Sequence, residues 1–248
     1  MKNVQLSKRL GAVASFVEKG ARVCDIGTDH GFVPIYLINS GTASHVVAMD
    51  VGEGPLERAR EHVRKQELCD KIELRLSNGL EKLEKDEADT MICAGMGGTL
   101  MMRIINDKDP WKLGIRHMIL QPQSDLFLFR ENLQKIGYGI VAEKEIFEEG
   151  KYYVVINAVH GEEDVYYKKA ASMLKSKHEL TDDDCIRICR RFGPYLICAG
   201  DSELKNYLEH ELSICEKILL KLSENAHPDR ERDIIMKKHD ITCALDLL

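Results

Sequence analysis

The sequence predicts an α/β protein: a doubly wound, mainly parallel sheet of seven strands closed by an antiparallel hairpin, then a separate helical domain. Three observations carry that expectation. An apolar strand, Val23-Cys24-Asp25-Ile26, runs through Gly27-Thr28-Asp29-His30-Gly31 into a helix, and a second apolar strand, Val46-Val47-Ala48-Met49, ends on Asp50. Strand and helix alternate five times through the first 160 residues before two successive strands end the pattern, and such alternation implies a parallel sheet covered on both faces. From Gly161 onward the apolar period is helical. The domains are therefore expected at 1–160 and 161–248.

Met1 to Gly20 carries an amphipathic pattern (Leu6, Leu10, Val13, Val17). After the first strand–helix–strand unit, Gly54 to Leu68 reads as a helix with Leu56, Ala59 and Val63 on one side and Arg58, Arg60, Arg64 and Lys65 on the other. Ile72 to Leu76 alternates with period two, a half-buried strand. Thr90 to Ala94 is a short buried strand entering Gly95-Met96-Gly97-Gly98, and a helix follows from Thr99 to about Asn106. His117 to Leu120 is another buried strand, stopped at Pro122. Ser124 or Asp125 is placed to cap a helix that reaches Ile136 and ends at Gly137. Tyr138 to Phe147 and Tyr152 to Val159 read as strands joined by the hairpin signal Glu148-Glu149-Gly150-Lys151.

In the second domain, Tyr166 to His178 is helical, and Thr181-Asp182-Asp183-Asp184 is a helix start with acids favouring the dipole. Phe192-Gly193-Pro194 breaks that helix. Leu204, Leu208, Leu212, Cys215, Ile218, Leu219 and Leu222 form one apolar stripe; Ile234, Ile241, Leu245 and Leu248 form another. With a turn from Glu224 to Arg232 between them, they make a coiled-coil-like αα-hairpin.

Composition is that of a soluble globular chain: 44% hydrophobic and 31% charged over 248 residues. No apolar run approaches the roughly 20 residues a bilayer requires, and the N-terminal stretch lacks a signal-peptide apolar region. The eight cysteines include no C-x-x-C pair, which fits a reducing, cytoplasmic setting. Cys185 and Cys189 lie one turn apart without histidines at ligand spacing, so no metal site is expected. The net charge is −6, with 21 basic and 23 acidic residues up to position 160 and 14 and 18 beyond it. A nucleic-acid partner would therefore need a local patch.

The loop after the first strand decides the ligand class. A dinucleotide site uses G-x-G-x-x-G to offer N–H groups to a pyrophosphate. Here the loop has two glycines and two acids, Asp25 and Asp29, poor neighbours for a pyrophosphate. They suit a ligand with a positive end and no phosphate. S-adenosylmethionine, with its sulfonium, ammonium and ribose, matches acids at 25, 29 and 50, and Asp50 stands where a strand-end acid binds ribose hydroxyls. The alternatives are a nicotinamide dinucleotide, or no ligand, with Asp25 and Asp29 as helix caps.

Larger motifs extend this reading. The run Asp25-Ile26-Gly27-Thr28-Asp29-His30-Gly31-Phe32-Val33-Pro34-Ile35-Tyr36-Leu37 resembles the TrmK-type tRNA adenine-22 N1-methyltransferases of bacteria. So do Met49-Asp50-Val51 with Gly54-Pro55-Leu56, Ser77-Asn78-Gly79-Leu80, Ala94-Gly95-Met96-Gly97-Gly98-Thr99 and Leu120-Gln121-Pro122-Gln123. Leu6-Ser7-Lys8-Arg9-Leu10 and Arg191-Phe192-Gly193-Pro194 extend the resemblance over essentially the whole chain. Gln123 departs from the Asn that many members carry.

The resemblance implies a class I methyltransferase fold, S-adenosylmethionine as donor, and methyl transfer to N1 of an adenine in the tRNA D-arm. It implies a donor site built from Arg9, Asp25, Gly27, Thr28, Asp29, His30, Gly31 and Asp50, with Asn78, Gly79, Ala94, Gly95, Met96 and Gly97. Asn78 is expected at the donor's adenine ring, Arg9 at the donor carboxylate or an RNA phosphate. Asp29 is the leading catalytic residue, facing donor and base, and the amides of Gln121 and Gln123 could read an adenine edge. Phosphate contacts would come from Lys8, Arg9 and the basic face of the 54–68 helix, or from Lys168, Lys169, Lys175, Lys177, Arg187, Arg190 and Arg191. The protein is expected to act as a monomer with tRNA as partner, without membrane or metal. Methylation of another RNA, a protein or a small molecule, and a non-catalytic binding role, are the competing functions.

Overall fold

The computed structural model describes residues 4–222 and 228–248. The chain divides into two compact units, Met1–Glu162 and Glu163–Leu248.

The first unit is one seven-stranded sheet flanked by helices. In chain order it runs α1 (Lys8–Ser15), β1 (Ala21–Ile26), α2 (Phe32–Asn39), β2 (Ala43–Asp50), α3 (Glu53–Lys65), β3 (Ile72–Leu76), β4 (Thr90–Met96), α4 (Gly98–Asp107), β5 (His117–Pro122), α5 (Leu126–Lys135), β6 (Tyr138–Glu148) and β7 (Lys151–His160). The strand order is β3-β2-β1-β4-β5-β7-β6. Strands β1 to β5 are parallel, and β7 inserts antiparallel between β5 and β6. This is the class I methyltransferase sheet. Its middle strands are apolar runs because both faces are covered: Val23, Val46, Ile92 and Ile119 are almost wholly buried. The hairpin closes through Glu149 (φ 50) and Gly150 (φ 78), the left-handed pair that a two-residue turn demands.

Two local expectations change. Asp125 occupies the N-cap position of α5, but in a left-handed conformation and without a capping bond. Its carboxylate instead accepts hydrogen bonds from Thr99 Oγ1 (2.9 Å) and Ser124 Oγ (2.8 Å). Ser124 Oγ in turn accepts from Gly98 N (3.0 Å), so Ser124 serves the start of α4, whose own N-cap is a glycine. A loop distant in sequence performs the capping.

The second unit comprises α6 (Val165–Lys177), α7 (Asp182–Phe192), α8 (Pro194–Ala199), α9 (Ser202–Leu222) and α10 (Pro228–Leu245). Thr181 and Asp184 form a reciprocal capping box at α7. Helices α9 and α10 pair antiparallel, linked by Lys237 to Glu211 and by Lys238 to Glu216 at 3.0 Å. Residues 228–232, expected in the turn, are already helical because proline suits the first helical turn; positions 224–227 of that turn lie outside the described residues. Asp240 is fully buried and binds Arg187 (2.8 Å) and Arg191 (3.1 Å), joining α10 to α7.

Candidate active site

A cleft of about 380 Å³ opens at the carboxyl ends of β1, β2 and β4. It lies where the strand order turns outward from β1 and β4, the place where open α/β sheets bind ligands. Arg9 and Leu10 of α1 line it, with Asp25, Gly27 to His30, Phe32 and Val33, Asp50, Ile92, Ala94 to Met96, and Gln123.

Backbone geometry shapes the cleft first. Gly27 has φ 74, and a Cβ there would overlap the Met96 methyl. Gly95 has φ 82 and sits where the β4–β5 register shifts, a bulge that ends the pairing beside the cleft. Its N–H donates to Gln121 Oε1 at 3.1 Å.

Three acids then set the electrostatics. Asp25 is 5% exposed. Burial pushes its pKa up to about 6; the adjacent Thr28 hydroxyl opposes this, and the Asp50 carboxylate adds to it. Asp50 Oδ2 accepts from Asp29 N (3.1 Å) and Oδ1 from Gly52 N (2.9 Å), which fixes the carboxylate at the strand end. Asp29 has φ 48, and its carboxylate faces Arg58 (3.3 Å) and His30 (3.6 Å). Neither Asp25 nor Asp29 caps α2, whose N-cap is Gly31 in a left-handed conformation with no side-chain capping bond. The helix-cap role considered for both acids therefore falls.

Arg9 is held from three directions. Its Nη1 donates to Gln121 Oε1 at 2.7 Å, and its guanidinium lies 5.4 Å from the Tyr153 ring centre. Glu148 accepts from the backbone N–H groups of Lys8 (2.6 Å) and Arg9 (3.4 Å), pinning the start of α1 to the end of β6. Arginine has five donors, so others remain for a ligand anion.

Several expected residues do other work. Gln121 is fully buried and spends its amide on Arg9, Gly95 and the Pro122 carbonyl (3.3 Å), so it positions the cleft wall instead of reading a base. Gln123, by contrast, is exposed at the rim. Asn78 and Gly79 do not line the cleft: Asn78 Nδ2 donates to Glu81, and a Cβ on Gly79 would come within 2.8 Å of Ile104. Gly31 has φ 71, and a Cβ there would come within 3.2 Å of Ala59; a Cβ on Gly97 would meet Ser124 Oγ only at 3.5 Å, an ordinary contact. The glycine character of Gly31 thus serves the turn and the packing of α2 on α3.

Residues with no site role expected from the sequence complete the cleft, although Leu10, Phe32 and Val33 lie within the motifs that carry the resemblance. Phe32 stacks on His30 (5.4 Å) and His62 (5.1 Å) at the mouth and is 39% exposed. Leu10, Val33 and Ile92 make the apolar wall. Such side chains read as core in a sequence. Burial pushes the thiols of Cys24 and Cys93 up, leaving both as inert apolar groups beneath the cleft.

The cleft fits a cationic nucleoside. Asp25 is costly to ionise alone and would be relieved by a positive ligand group. The Thr28 hydroxyl lies against this carboxyl and adds a second polar group to the buried floor. Asp50 presents anchored acceptors suited to a diol.

Comparison with known proteins agrees. Residues 6–156 match the family described as a methyltransferase domain. The tRNA (adenine(22)-N(1))-methyltransferase of Bacillus subtilis is 37% identical over 167 residues, 67% of this chain and 70% of that protein. The crystal structure of the B. subtilis m1A22 tRNA methyltransferase TrmK superposes with a TM-score of 0.82 at 27% identity, covering 98% of this chain and 99% of that one. A Streptococcus pneumoniae candidate tRNA (m1A22) methyltransferase, solved with S-adenosyl-L-methionine, gives 0.80 at 30% identity over 97% of this chain and 100% of that one. Sheet order, cleft and comparisons converge on one conclusion: the chain belongs to the TrmK-type family of bacterial tRNA (adenine-22 N1)-methyltransferases.

Proposed function

We propose that the protein transfers a methyl group from S-adenosylmethionine to N1 of adenine 22 in the D-arm of tRNA. The observation that carries this reading is the acid-lined cleft at the β1–β4 switch point, in a chain whose whole length matches m1A22 methyltransferase structures.

S-adenosylmethionine supplies a methyl on a sulfonium centre; the in-plane N1 lone pair forms the new C–N bond as the C–S bond breaks, leaving a neutral thioether and a cationic base. No general base is required, so the protein's contribution is alignment and electrostatics. Asp50 holds the ribose hydroxyls. Asp25, ionised by the ligand's charge, and Thr28 complete the polar floor. Arg9, braced by Gln121 and Tyr153, meets the donor carboxylate. Asp29, on the loop between the two glycines, offsets positive charge developing on the base. Gln123 offers its amide to the adenine edge from the rim. The base must leave its stack to reach the cleft, at a cost of a few kcal/mol.

The test uses unmodified tRNA transcript, purified protein and labelled donor, with mass mapping of the product. One N1-methyladenine at position 22 is expected. Donor binding without transfer to any tRNA would overturn the proposal.

A further inference from the structure

A second cavity, of about 590 Å³, is lined by Val4, Gln5 and Leu6, by Gly11 of α1, and by Tyr36, Asn39 and Ser40 at α2. It shares two walls with the donor cleft. Helix α1 gives Arg9 and Leu10 to the cleft and Gly11 to this cavity. Helix α2 gives Phe32 and Val33 to the cleft and, one turn on, Tyr36 to the cavity. Phe32 and Tyr36 are i and i+4, so they share a helix face, and both are exposed, at 39% and 38%.

Gly11 is the second observation. It lies inside α1, where glycine is a poor helix former, yet its φ is ordinary, so no backbone demand explains it. A Cβ built there meets nothing within 4 Å, so no close neighbour explains it either. Its missing side chain leaves the cavity wall open. The other lining groups suit a nucleobase: the Tyr36 ring offers a stacking face, and the exposed amides of Gln5 and Asn39 offer donors and acceptors. Lys8, three residues before Gly11 on α1 and so on the same side of the helix, is exposed and has no carboxylate partner for its ammonium among the described residues.

We infer that this cavity receives a nucleoside of the same tRNA adjacent to the methylated adenine, stacked on Tyr36 and admitted by Gly11. The inference rests on the proposed tRNA activity. It makes the α1–α2 face a substrate subsite: one nucleoside held outside the cleft while its neighbour is turned in.

The full-length protein and two variants separate the outcomes. Gly11→Leu fills the cavity from a wall with room for it, and Tyr36→Ala removes the stacking face. Both should keep the fold and donor affinity, with Gly11→Leu melting at or above wild type because leucine is the better helix former, raise the KM for tRNA about tenfold, as loss of one base–aromatic stack would, and hold kcat within about twofold. Tyr36→Phe, which keeps the ring, should restore the KM. A wild-type KM in both Gly11→Leu and Tyr36→Ala would overturn the inference while leaving the methyltransferase reading intact. Failure of the wild-type protein to methylate tRNA at all would remove the reading beneath it.

Discussion

Asp25 governs the electrostatics of the cleft. Its pKa is about 6 in the folded protein, against about 3.9 for an unfolded aspartate. Between those values the folded state holds the proton more tightly. Stability of the protein without donor should therefore fall as pH rises from about 4 to about 6, by on the order of 3 kcal/mol. Asp25→Asn removes that penalty: at pH 7.5 the variant should resist urea better than wild type, and its pH dependence should flatten. It should also bind S-adenosylmethionine at least about tenfold more weakly, since an ionised partner is removed. Wild-type donor affinity itself should drop below pH 6, where the carboxyl is protonated. Equal urea midpoints for the two proteins at pH 7.5 would show that the buried acid is not strained. Asp29 behaves differently because its carboxylate is 60% exposed and shared with Arg58 and His30. Asp29→Asn keeps a residue that tolerates positive φ. It should preserve the circular dichroism spectrum and lower kcat by on the order of tenfold to a hundredfold. Turnover at the wild-type rate would reduce Asp29 to a loop-shaping role.

At the scale of elements, α1 matters more than its eight residues suggest. It reaches the cleft because Glu148 binds its first N–H groups and Gln121 binds Arg9. Gln121→Ala empties a fully buried position and leaves the Gly95 N–H and the Arg9 guanidinium, both in part-buried hydrogen bonds, without their acceptor. It should cost about 1–3 kcal/mol of stability and weaken donor binding through both α1 and the Gly95 bulge. Thermal melts and titration calorimetry would check both effects together. A stability loss with unchanged donor affinity would separate Gln121 from the cleft. The sequence could not show this role. Period two puts Gln121 and Gln123 on the same strand face. The strand ends at Pro122, so Gln123 leaves the sheet for the rim while Gln121 stays under it. Asp25, Gly27, Asp50 and the seven strands along the chain were legible because strand ends and tight turns use local chemistry; the order of the strands in the sheet is set by contacts distant in sequence. Leu10, Phe32 and Ile92 were not, since an apolar cleft wall and a core have the same composition. The Ser124 contact with α4 was hidden for another reason: it joins segments 26 residues apart.

At the scale of the molecule, charge pairing redirects the search for the RNA surface. The expected cations of the second unit are largely committed within it. Lys168 pairs with Glu163 (3.2 Å), Lys175 with Asp182 (2.6 Å), Arg187 with Asp184 and Asp240, and Arg191 with Asp240, while Lys177 bonds the Asp246 carbonyl. The α3 face is similar: Arg60 pairs with Glu57, Lys65 with Glu61 and Arg58 with Asp29, which leaves Arg64 as its one cation without a carboxylate partner among the described residues. Counting positive residues along a sequence cannot reveal such neutralisation, because most partners lie on other turns or other helices. Among the described residues, Lys169 on α6, Lys205, Lys217 and Lys221 on α9 and Arg230 on α10 have no carboxylate partner, and the last three sit together toward the end of the hairpin where the two helices connect. That end is where phosphates should be met. Lys217→Glu with Lys221→Glu alters exposed helix positions, so folding and donor affinity should stay at wild-type values. Binding of tRNA should weaken, and the slope of log K against log salt should shrink by about 0.7–0.9 for each phosphate that is no longer neutralised. Reversing Lys168 and Lys175, already paired with acids, should change the slope much less. Gel-shift titrations of both double variants across salt concentrations would decide. The larger change from Lys168 and Lys175 would return the RNA surface to α6.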